Sequence, residues 1–437
     1  MIRIAHALVL TLLMALPLRA GVEIQEVTSP GGIDAWLVES HEILILALEI
    51  RFRGGASLDA PGKRGAINLM TGLLEEGAGD MDARAFATAR DALAADIGFD
   101  VGPDTLSVSV RTLTENRDEV MGLLRLALLQ PRFDEDAVER VRNQVLSIIR
   151  SDEKDPDTIA TRTFDRLAFG DHPYASSING TPEGVAALAR DDLIEAKARV
   201  MARDRLVVSA VGDITAEELG TLLDNLFEGL PETGAPMPPQ ADFSLAGGVT
   251  VVPFDTPQAV AVFGQKGLKR DDPDFITAYV LNQVLGAGGF TSRLMTEVRE
   301  KRGLTYGVYS YLYPMDYAAL MLGQVASAND RVAEAIEVIR AEWQKAATEG
   351  LTQEELDAVK TYLTGAYPLR FDGNGPIASI LTGMQLDGLS PDYVKTRNAM
   401  IEAVTLDDIR RVAGELLDPE ALHFVVVGRP EGLASTN

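Results

Sequence analysis

Apolar residues alternate with polar ones in several short runs of this chain, and in longer stretches they recur every three or four positions. Alternation is typical of strands with one buried face, and the longer period is typical of helices. The two kinds of segment follow each other in a similar order before and after a proline-rich stretch, 230–243. Before it, the predicted strands are 22–27, 35–38, 43–52 and 105–112, and the predicted helices are 64–77, 83–97, 117–130, 135–151 and 157–169. After it, the predicted strands are 249–252, 259–264, 306–311 and 318–325, and the predicted helices are 276–285, 293–301, 331–348 and 353–369.

A short pattern also occurs twice and favours a duplication. Residues 191–193 open a predicted helix that leads to a β-branched strand ending at Gly212, and residues 406–409 open another that leads to a strand ending at Gly428. We therefore predict an α+β fold of two homologous α/β sandwich domains, with helices on one face of each sheet. The predicted boundaries are 21–229 for the first domain, 230–244 for the linker and 245–437 for the second domain.

The N-terminus has the pattern of a secretory signal peptide. A basic start precedes an apolar run, 4–16, and Ala20 offers a small residue at a cleavage site. The run is too short to span a bilayer, and no later stretch is as continuously apolar. Residues 1–20 are thus predicted to be removed from a protein that is periplasmic if bacterial, and an uncleaved N-terminal anchor is the alternative.

The composition narrows the possible functions. Lys and Arg number 40 against 65 Asp and Glu, which gives a formal net charge of −25 and excludes the basic surface that nucleic-acid binding needs. Such acidity should instead attract basic peptides. There is no Cys, so disulfides, thiolate zinc sites and cysteine nucleophiles are excluded together.

The histidines exclude a common metal site. His6 lies in the predicted signal peptide, and no two of the others lie three or four residues apart, as two imidazole ligands on one helical face must. We expect His41 at the start of a strand, His172 in a turn, and His423 as a hydrogen-bonded core residue. Serine-nucleophile and phosphate-loop motifs are absent from the sequence as well.

Residues 288–306 resemble a known family. They fit the pattern GG-x-x-SRL-x-x-x-[IV]RE-K-x-G-L-x-Y of the pitrilysin/insulinase zinc metallopeptidases, in the branch of mitochondrial processing peptidase. Residues 62–77 look like the zinc helix of that family, and 172–174 and 180–184 also fit. The resemblance implies two sandwich domains like those of mitochondrial processing peptidase.

The chain departs from the family at the metal ligands. The H-x-x-E-H positions of the zinc helix fall on Asn68, Thr71 and Gly72. The third ligand of the family is a Glu from a later helix, where only Glu139 is acidic and the register points to 141–143. Neutral side-chain oxygens hold zinc poorly without imidazoles, so we expect no metal cofactor in this chain.

A second pair of family residues is retained. By motif, Arg299 and Tyr306 match an Arg and a Tyr that reach the active site from the second domain, where the resemblance makes the phenol an oxyanion donor and the guanidinium a substrate contact. Gly286, Gly288 and Gly289 match a glycine-rich substrate loop, with a helix cap as the equally supported alternative.

The resemblance therefore implies a non-catalytic subunit. It would be inactive alone, bind extended peptides by strand pairing, and complete the active site of a homologous partner that carries H-x-x-E-H and zinc. The alternative is a homodimeric peptide-binding or scaffold protein without peptidase activity. Retention of Arg299 and Tyr306 favours the first hypothesis.

Overall fold

Two β-sheets organise residues 22–436, the part of the chain that the computed structural model describes. The predicted signal peptide, 1–20, lies outside these residues. The first sheet has six strands, the second has five, and a two-stranded hairpin stands apart. The strands are Gln25–Thr28 (β1), Asp34–Glu39 (β2), Ile45–Arg53 (β3), Gly77–Ala78 (β4), Met81–Asp82 (β5), Asp96–Val101 (β6), Thr105–Leu113 (β7), Leu206–Gly212 (β8), Gly248–Pro253 (β9), Gln258–Lys266 (β10), Val308–Pro314 (β11), Ala319–Ala328 (β12) and His423–Gly428 (β13).

Amphipathic helices pack against the sheets, and none in 22–436 combines the length and apolarity that crossing a bilayer requires. The α-helices before the proline-rich stretch are Ala66–Thr71 (α1), Ala83–Ala92 (α2), Arg117–Leu129 (α3), Glu135–Asp152 (α4), Pro156–Phe169 (α5), Pro182–Ala186 (α6), Arg190–Val200 (α7) and Ala216–Phe227 (α8). Those after it are Phe275–Asn282 (α9), Val332–Glu349 (α10), Gln353–Ala366 (α11), Asn374–Leu386 (α12), Tyr393–Ala403 (α13) and Leu406–Leu416 (α14). Wide π-helical turns follow at Gln283–Ala287 and Met295–Glu300.

Most predicted elements are confirmed to within a few residues, but two helices of the first part are shorter than predicted. The predicted helix 64–77 is helical only over α1, because the chain turns after Gly72 and enters β4 at Gly77, whose φ is +111°. The predicted helix 83–97 ends at Ala92. Ala94 takes a left-handed φ of +48°, which a helix does not continue through, and β6 follows.

Three expectations in other places also need correction. The predicted helix 293–301 is instead the π-helical turn Met295–Glu300. Tyr306 precedes β11, which starts at Val308, and so lies outside the strand. His41 lies in the turn between β2 and β3 and does not start a strand.

The second sheet repeats five strands of the first in order and direction. The first sheet runs β1-β2-β8-β3-β7-β6, and the second, read from its other end, runs β9-β13-β10-β12-β11. In each, the first and last of the five strands along the chain pair in parallel, β2 with β8 and β9 with β13, and the remaining pairs are antiparallel. By this correspondence β6 is equivalent to β11, and both are edge strands.

Each sheet is covered on both faces, so the expectation of helices on one face only was wrong. The face of the first sheet opposite its main core carries Trp36, Ala47 and Val211, which pack against Leu381 and its neighbours on α12. The equivalent face of the second sheet packs against α5 through Phe164. Since α5 comes from the first part of the chain and α12 from the second, the two parts exchange equivalent helices.

The proline-rich stretch contacts residues from both parts. His172 Nε2 lies 3.1 Å from the Pro239 carbonyl oxygen, and the Ala241 amide donates to the Tyr317 carbonyl at 2.8 Å. The domain boundaries 21–229, 230–244 and 245–437 stay predictions.

Candidate functional site

The residues at the zinc-ligand positions hold the protein together and do not form a metal site. Asn68 Nδ2 donates to Asn179 Oδ1 at 3.0 Å, and Asn179 in turn donates to Asp152 at 3.3 Å. Thr71 is buried, and its hydroxyl donates to the Ile67 carbonyl one turn earlier at 2.8 Å. The amide nitrogen of Asn68 and the hydroxyl of Thr71 are therefore already engaged within the fold.

The position of the third ligand is apolar. Val141 on α4 is buried, and a Cβ built on Gly72 would lie 3.2 Å from its Cγ1. Within 141–143 this contact identifies position 141 as the one that faces the zinc helix. Glu139, the one acidic residue in 138–150, pairs with Arg142. The described residues contain no group of three or more acids and histidines placed to hold a metal ion, and this donor set does not fit zinc.

Arg299 and Tyr306 lie together on an open groove of about 630 Å³ in the second part of the chain. Tyr306 is 85% exposed, and its hydroxyl makes no hydrogen bond to another described residue. The Arg299 guanidinium carbon lies 4.9 Å from the ring centre of Phe290, which is itself 66% exposed. An exposed phenol and a guanidinium stacked on a ring are free to meet a ligand.

The backbone that leads into Tyr306 is held by several hydrogen bonds. Arg331 donates to the carbonyls of Arg302 and Gly303 at 3.0 and 3.1 Å. The Thr305 hydroxyl donates to the Ala326 carbonyl at 2.6 Å, and the Ser327 hydroxyl donates to the Leu304 carbonyl at 2.5 Å. None of the zinc-helix positions lines this groove, so the retained pair and the lost zinc site do not share a cavity.

The three candidate loop glycines have different environments. Gly286 is buried in the first π-helical turn, and a Cβ there would overlap Ser310 Oγ and come within 2.7 Å of the Ser310 amide nitrogen. A Cβ on Gly288 would meet the Gln283 carbonyl at 2.5 Å. Gly289 has φ +58° and open space around it. Close packing explains the first two glycines, and a left-handed turn explains the third.

Sequence reasoning missed a buried polar contact between the two parts of the chain. The Tyr174 hydroxyl donates to Asp104 Oδ1 at 2.5 Å and accepts the Tyr317 amide at 3.1 Å, while the Asp316 amide donates to Asp104 Oδ2 at 3.2 Å. Burial raises the pKa of Asp104, and burial beside that carboxyl raises the pKa of Tyr174. The match of 172–174 to the family pattern was the one signal in the sequence.

The histidines serve the fold. His423 is buried in β13, with Nδ1 2.7 Å from the Ala246 carbonyl and Nε2 2.9 Å from the Thr250 hydroxyl, as expected of a core residue. His41 lies between Asp213 at 2.6 Å and Glu39 at 2.9 Å, and these hydrogen bonds raise its pKa.

The fold and site define a class: an α+β chain with two similar sheets, an exposed Arg-Tyr groove and, within residues 22–436, no cluster of side chains suited to hold zinc. The family model described as "Peptidase M16 inactive domain" matches residues 187–363. Over this segment the chain is similar to the peptidase M16 family, which confirms the resemblance to pitrilysin/insulinase enzymes. The matched segment includes Arg299 and Tyr306 but not the zinc-helix positions.

Relatives match most of the chain. A non-peptidase homolog named YmxG from Helicobacter pylori is 29% identical over 89% of this chain and 90% of its own, and an uncharacterized zinc protease from Streptomyces coelicolor is 28% identical over 90% and 87%. A crystal structure of a peptidase M16 inactive domain from Pseudomonas fluorescens has a TM-score of 0.88 at 27% identity, covering 95% of this chain and 99% of that one. A Helicobacter pylori protease structure shares the fold, with a TM-score of 0.85, 18% identity and coverage of 93% and 100%. The similarity to an inactive domain and to a non-peptidase homologue, together with the replaced ligands, points to a non-catalytic relative of the M16 peptidases.

Proposed function

We propose that this chain is the non-catalytic, substrate-binding subunit of a heterodimeric zinc metalloendopeptidase. A homologous partner would carry H-x-x-E-H and the zinc, and this chain would supply Arg299 and Tyr306 to the peptide bound there. The observation that carries the proposal is the exposed Arg299–Tyr306 pair on one groove of a chain whose own ligand positions do not fit zinc.

The chemistry of the pair suits amide hydrolysis. A hydroxide activated by the partner's metal builds negative charge on the attacked carbonyl oxygen, and a fixed phenol donor stabilises that charge. Tyr306 has no competing partner among the described residues, and the two residues before it, Leu304 and Thr305, are hydrogen-bonded to β12. Arg299 can hold a substrate carbonyl or carboxylate before the reaction starts.

An open sheet edge supports the binding of extended peptides. β6 ends the first sheet and pairs with β7 alone, so its outer backbone groups can accept another strand. The equivalent edge strand β11 is closed near its start, because Asn282 Nδ2 donates to the Ser310 carbonyl at 3.1 Å and Gly286 packs against Ser310. Peptide addition is therefore favoured at β6.

The alternative is a homodimeric peptide-binding or scaffold protein. The non-peptidase name of the Helicobacter pylori relative favours it, as does the complete replacement of the ligands at Asn68, Thr71 and Gly72. In either case the repeated strand order supports two homologous domains joined by 230–244, and the N-terminal pattern supports a periplasmic location after cleavage at Ala20.

The decisive experiment mixes the chain, expressed without residues 1–20, with a homologous subunit that carries H-x-x-E-H. Association is followed by analytical ultracentrifugation and hydrolysis with a quenched fluorescent peptide. A heterodimer far more active than either chain alone supports the peptidase subunit. A chain that forms only homodimers, and leaves the activity of the partner unchanged, supports the scaffold.

A further inference from the structure

The outer side chains of β11 form a strip of three tyrosines. Tyr309, Tyr311 and Tyr313 alternate with inward-facing residues, and neighbouring rings lie 6.2 and 6.0 Å apart. They are 46, 40 and 37% exposed, although each is a large aromatic ring. We call them the tyrosine strip.

The strip lies on the face of the second sheet that α5 covers only in part. α5 packs over β10 and β13, while β12 and β11 lie to one side of it in the strand order. Tyr311 pairs across the sheet with Leu322, a residue of the same apolar cluster as Phe164 on α5. The result is a groove with the tyrosine strip on its floor and α5 along one wall.

The wall of this groove is acidic. Asp157 at the start of α5 accepts from Gln324 Nε2, and Gln324 Oε1 accepts the Tyr309 hydroxyl at 2.8 Å, which ties the wall to the floor. Burial raises the pKa of Tyr311 and of Tyr313, and Asp165, two turns further along α5, lies close enough for its charge to raise both further.

Asp165 is the unusual member of this group. Its carboxylate forms no hydrogen bond or ion pair with another residue in 22–436, although it is largely withdrawn from water, and burial alone raises its pKa to about 7. A carboxylate held without a partner costs stability, and such groups concentrate where a ligand supplies the missing charge. No cation from the described residues reaches it.

We infer that the groove formed by the tyrosine strip and Asp165 is a binding subsite for the cationic side chain, Arg or Lys, of an extended peptide. The ring faces would hold the apolar stem and the delocalised charge, and Asp165 would pair with the cation. The chain's formal net charge of −25 favours the same ligand. This inference deepens the proposed function by naming the side chain that one subsite selects.

The test is a comparison of two labelled peptides that differ in a single group. One extended peptide carries a central Arg, and its twin carries citrulline, which has the same shape without the charge. Fluorescence anisotropy at pH 8, with the chain alone, should give roughly 10-fold tighter binding for the Arg peptide. Asp165→Asn should reduce that preference to near one, and Tyr311→Leu should reduce it about 3-fold.

Asp118→Asn on α3 is the matched control, because it removes the same charge from an exposed site and should leave the preference unchanged. Equal binding of both peptides by the native chain overturns the inference, as does an undiminished preference in Asp165→Asn. A third result would also overturn it: sedimentation that shows the native chain to self-associate through the tyrosine strip, with Tyr311→Leu shifting it to the monomer. The binding test uses the chain without a partner subunit, so its result does not depend on whether the chain forms a heterodimer. A failed binding test likewise leaves the heterodimer proposal open to its own experiment.

Discussion

Gly72 on the degenerate zinc helix faces Val141 on α4, so closely that a Cβ at position 72 would lie 3.2 Å from the valine Cγ1. The family resemblance assigns both positions to metal ligands, and here the apolar side chain of Val141 fills the space beside Gly72. The contact shows that the helices still approach each other as a metal site requires, while the groups between them are unsuited to zinc.

The first prediction is that the chain retains no stoichiometric zinc. The purified chain is stripped with a chelator, incubated with zinc, and dialysed to remove the unbound metal. Neither the amide of Asn68 nor the hydroxyl of Thr71 is a strong ligand, and both are bonded within the fold. Inductively coupled plasma mass spectrometry measures the metal. About one zinc per chain would contradict the assignment.

A rebuilt site tests the Gly72–Val141 relationship directly. Asn68→His, Gly72→His and Val141→Glu together supply two imidazoles and a carboxylate, a common ligand set for zinc. We expect this triple variant to bind zinc and the variant lacking only Val141→Glu to bind it at least 10-fold more weakly. Equal affinity of the two would mean that another residue, and not position 141, faces the site.

The second prediction concerns the contact between Tyr174 and Asp104. Tyr174→Phe removes one buried hydroxyl and leaves Asp104 Oδ1 without its donor and the Tyr317 amide without its acceptor, so the free energy of unfolding should fall by about 1 to 3 kcal/mol. Urea denaturation followed by circular dichroism measures this change. Tyr362→Phe is the control, because that ring is exposed and should change stability by less than about 0.5 kcal/mol.

Sequence patterns located the long helices well because their apolar period is read within one element. The predicted helix 117–130 is α3, Arg117–Leu129, and the predicted helix 331–348 is α10, Val332–Glu349. β6 was missed because the left-handed turn at Ala94, which separates it from α2, has no marker such as Gly. A change of conformation at one alanine leaves no trace in a hydrophobic pattern.

The candidate site was predictable only as far as motifs reach. The pattern over 288–306 placed Arg299 and Tyr306 together, and both line one groove. The exchange of α5 and α12 was not predictable from the sequence. Each helix packs on a sheet whose strands lie in the other part of the chain, and a hydrophobic pattern does not indicate which distant sheet a helix covers. The groove beside Asp165 depends on that exchange, since α5 reaches the second sheet only through it.

The third prediction separates packing from ligand binding among the candidate loop glycines. Gly286→Ala would press a methyl group into Ser310, so we expect a loss of about 1 to 3 kcal/mol in the free energy of unfolding. Gly289→Ala has room and should cost about 1 kcal/mol, from its φ of +58° alone. Thermal unfolding of both variants ranks them. A Gly286→Ala chain as stable as the native one would remove the packing explanation.

The fourth prediction is a pH dependence of stability centred on Asp165. An ordinary aspartate ionises near pH 3.8, and burial raises the pKa of Asp165 to about 7 in the native state. Between these values the unfolded chain gives up the proton and the native chain keeps it, so stability from this group falls as the pH rises from about 4 to 7. At about 1.36 kcal/mol per pKa unit, the penalty above pH 7 can reach roughly 4 kcal/mol.

Asp165→Asn should therefore stabilise the chain at pH 8, by roughly 1 to 4 kcal/mol, and by less than about 1 kcal/mol at pH 4, where the carboxyl is neutral in the native state and only partly ionised in the unfolded chain. Urea titrations at the two pH values measure the difference. Asp118→Asn, at an exposed site, should show no such contrast. Equal effects of Asp165→Asn at both pH values would contradict the raised pKa.

The last prediction places the catalytic contribution of the chain on Tyr306. In a heterodimer with an H-x-x-E-H subunit, Tyr306→Phe deletes one hydroxyl that makes no hydrogen bond within the described residues, so folding and association should be unchanged. Loss of one oxyanion donor lowers turnover about 100- to 1000-fold, equivalent to roughly 3 to 4 kcal/mol. Arg299→Ala should raise KM as well, because its contact with substrate precedes the reaction.

Steady-state kinetics with a quenched fluorescent peptide separate the two effects, and sedimentation confirms the heterodimer in each sample. Tyr362→Phe, which removes an exposed phenol far along the chain at α11, is the matched control and should keep full turnover. If Tyr306→Phe also keeps full turnover in an intact heterodimer, the phenol takes no part in the reaction. The chain would then serve its partner as a scaffold, because the oxyanion donor assigned to the chain would have been removed without effect.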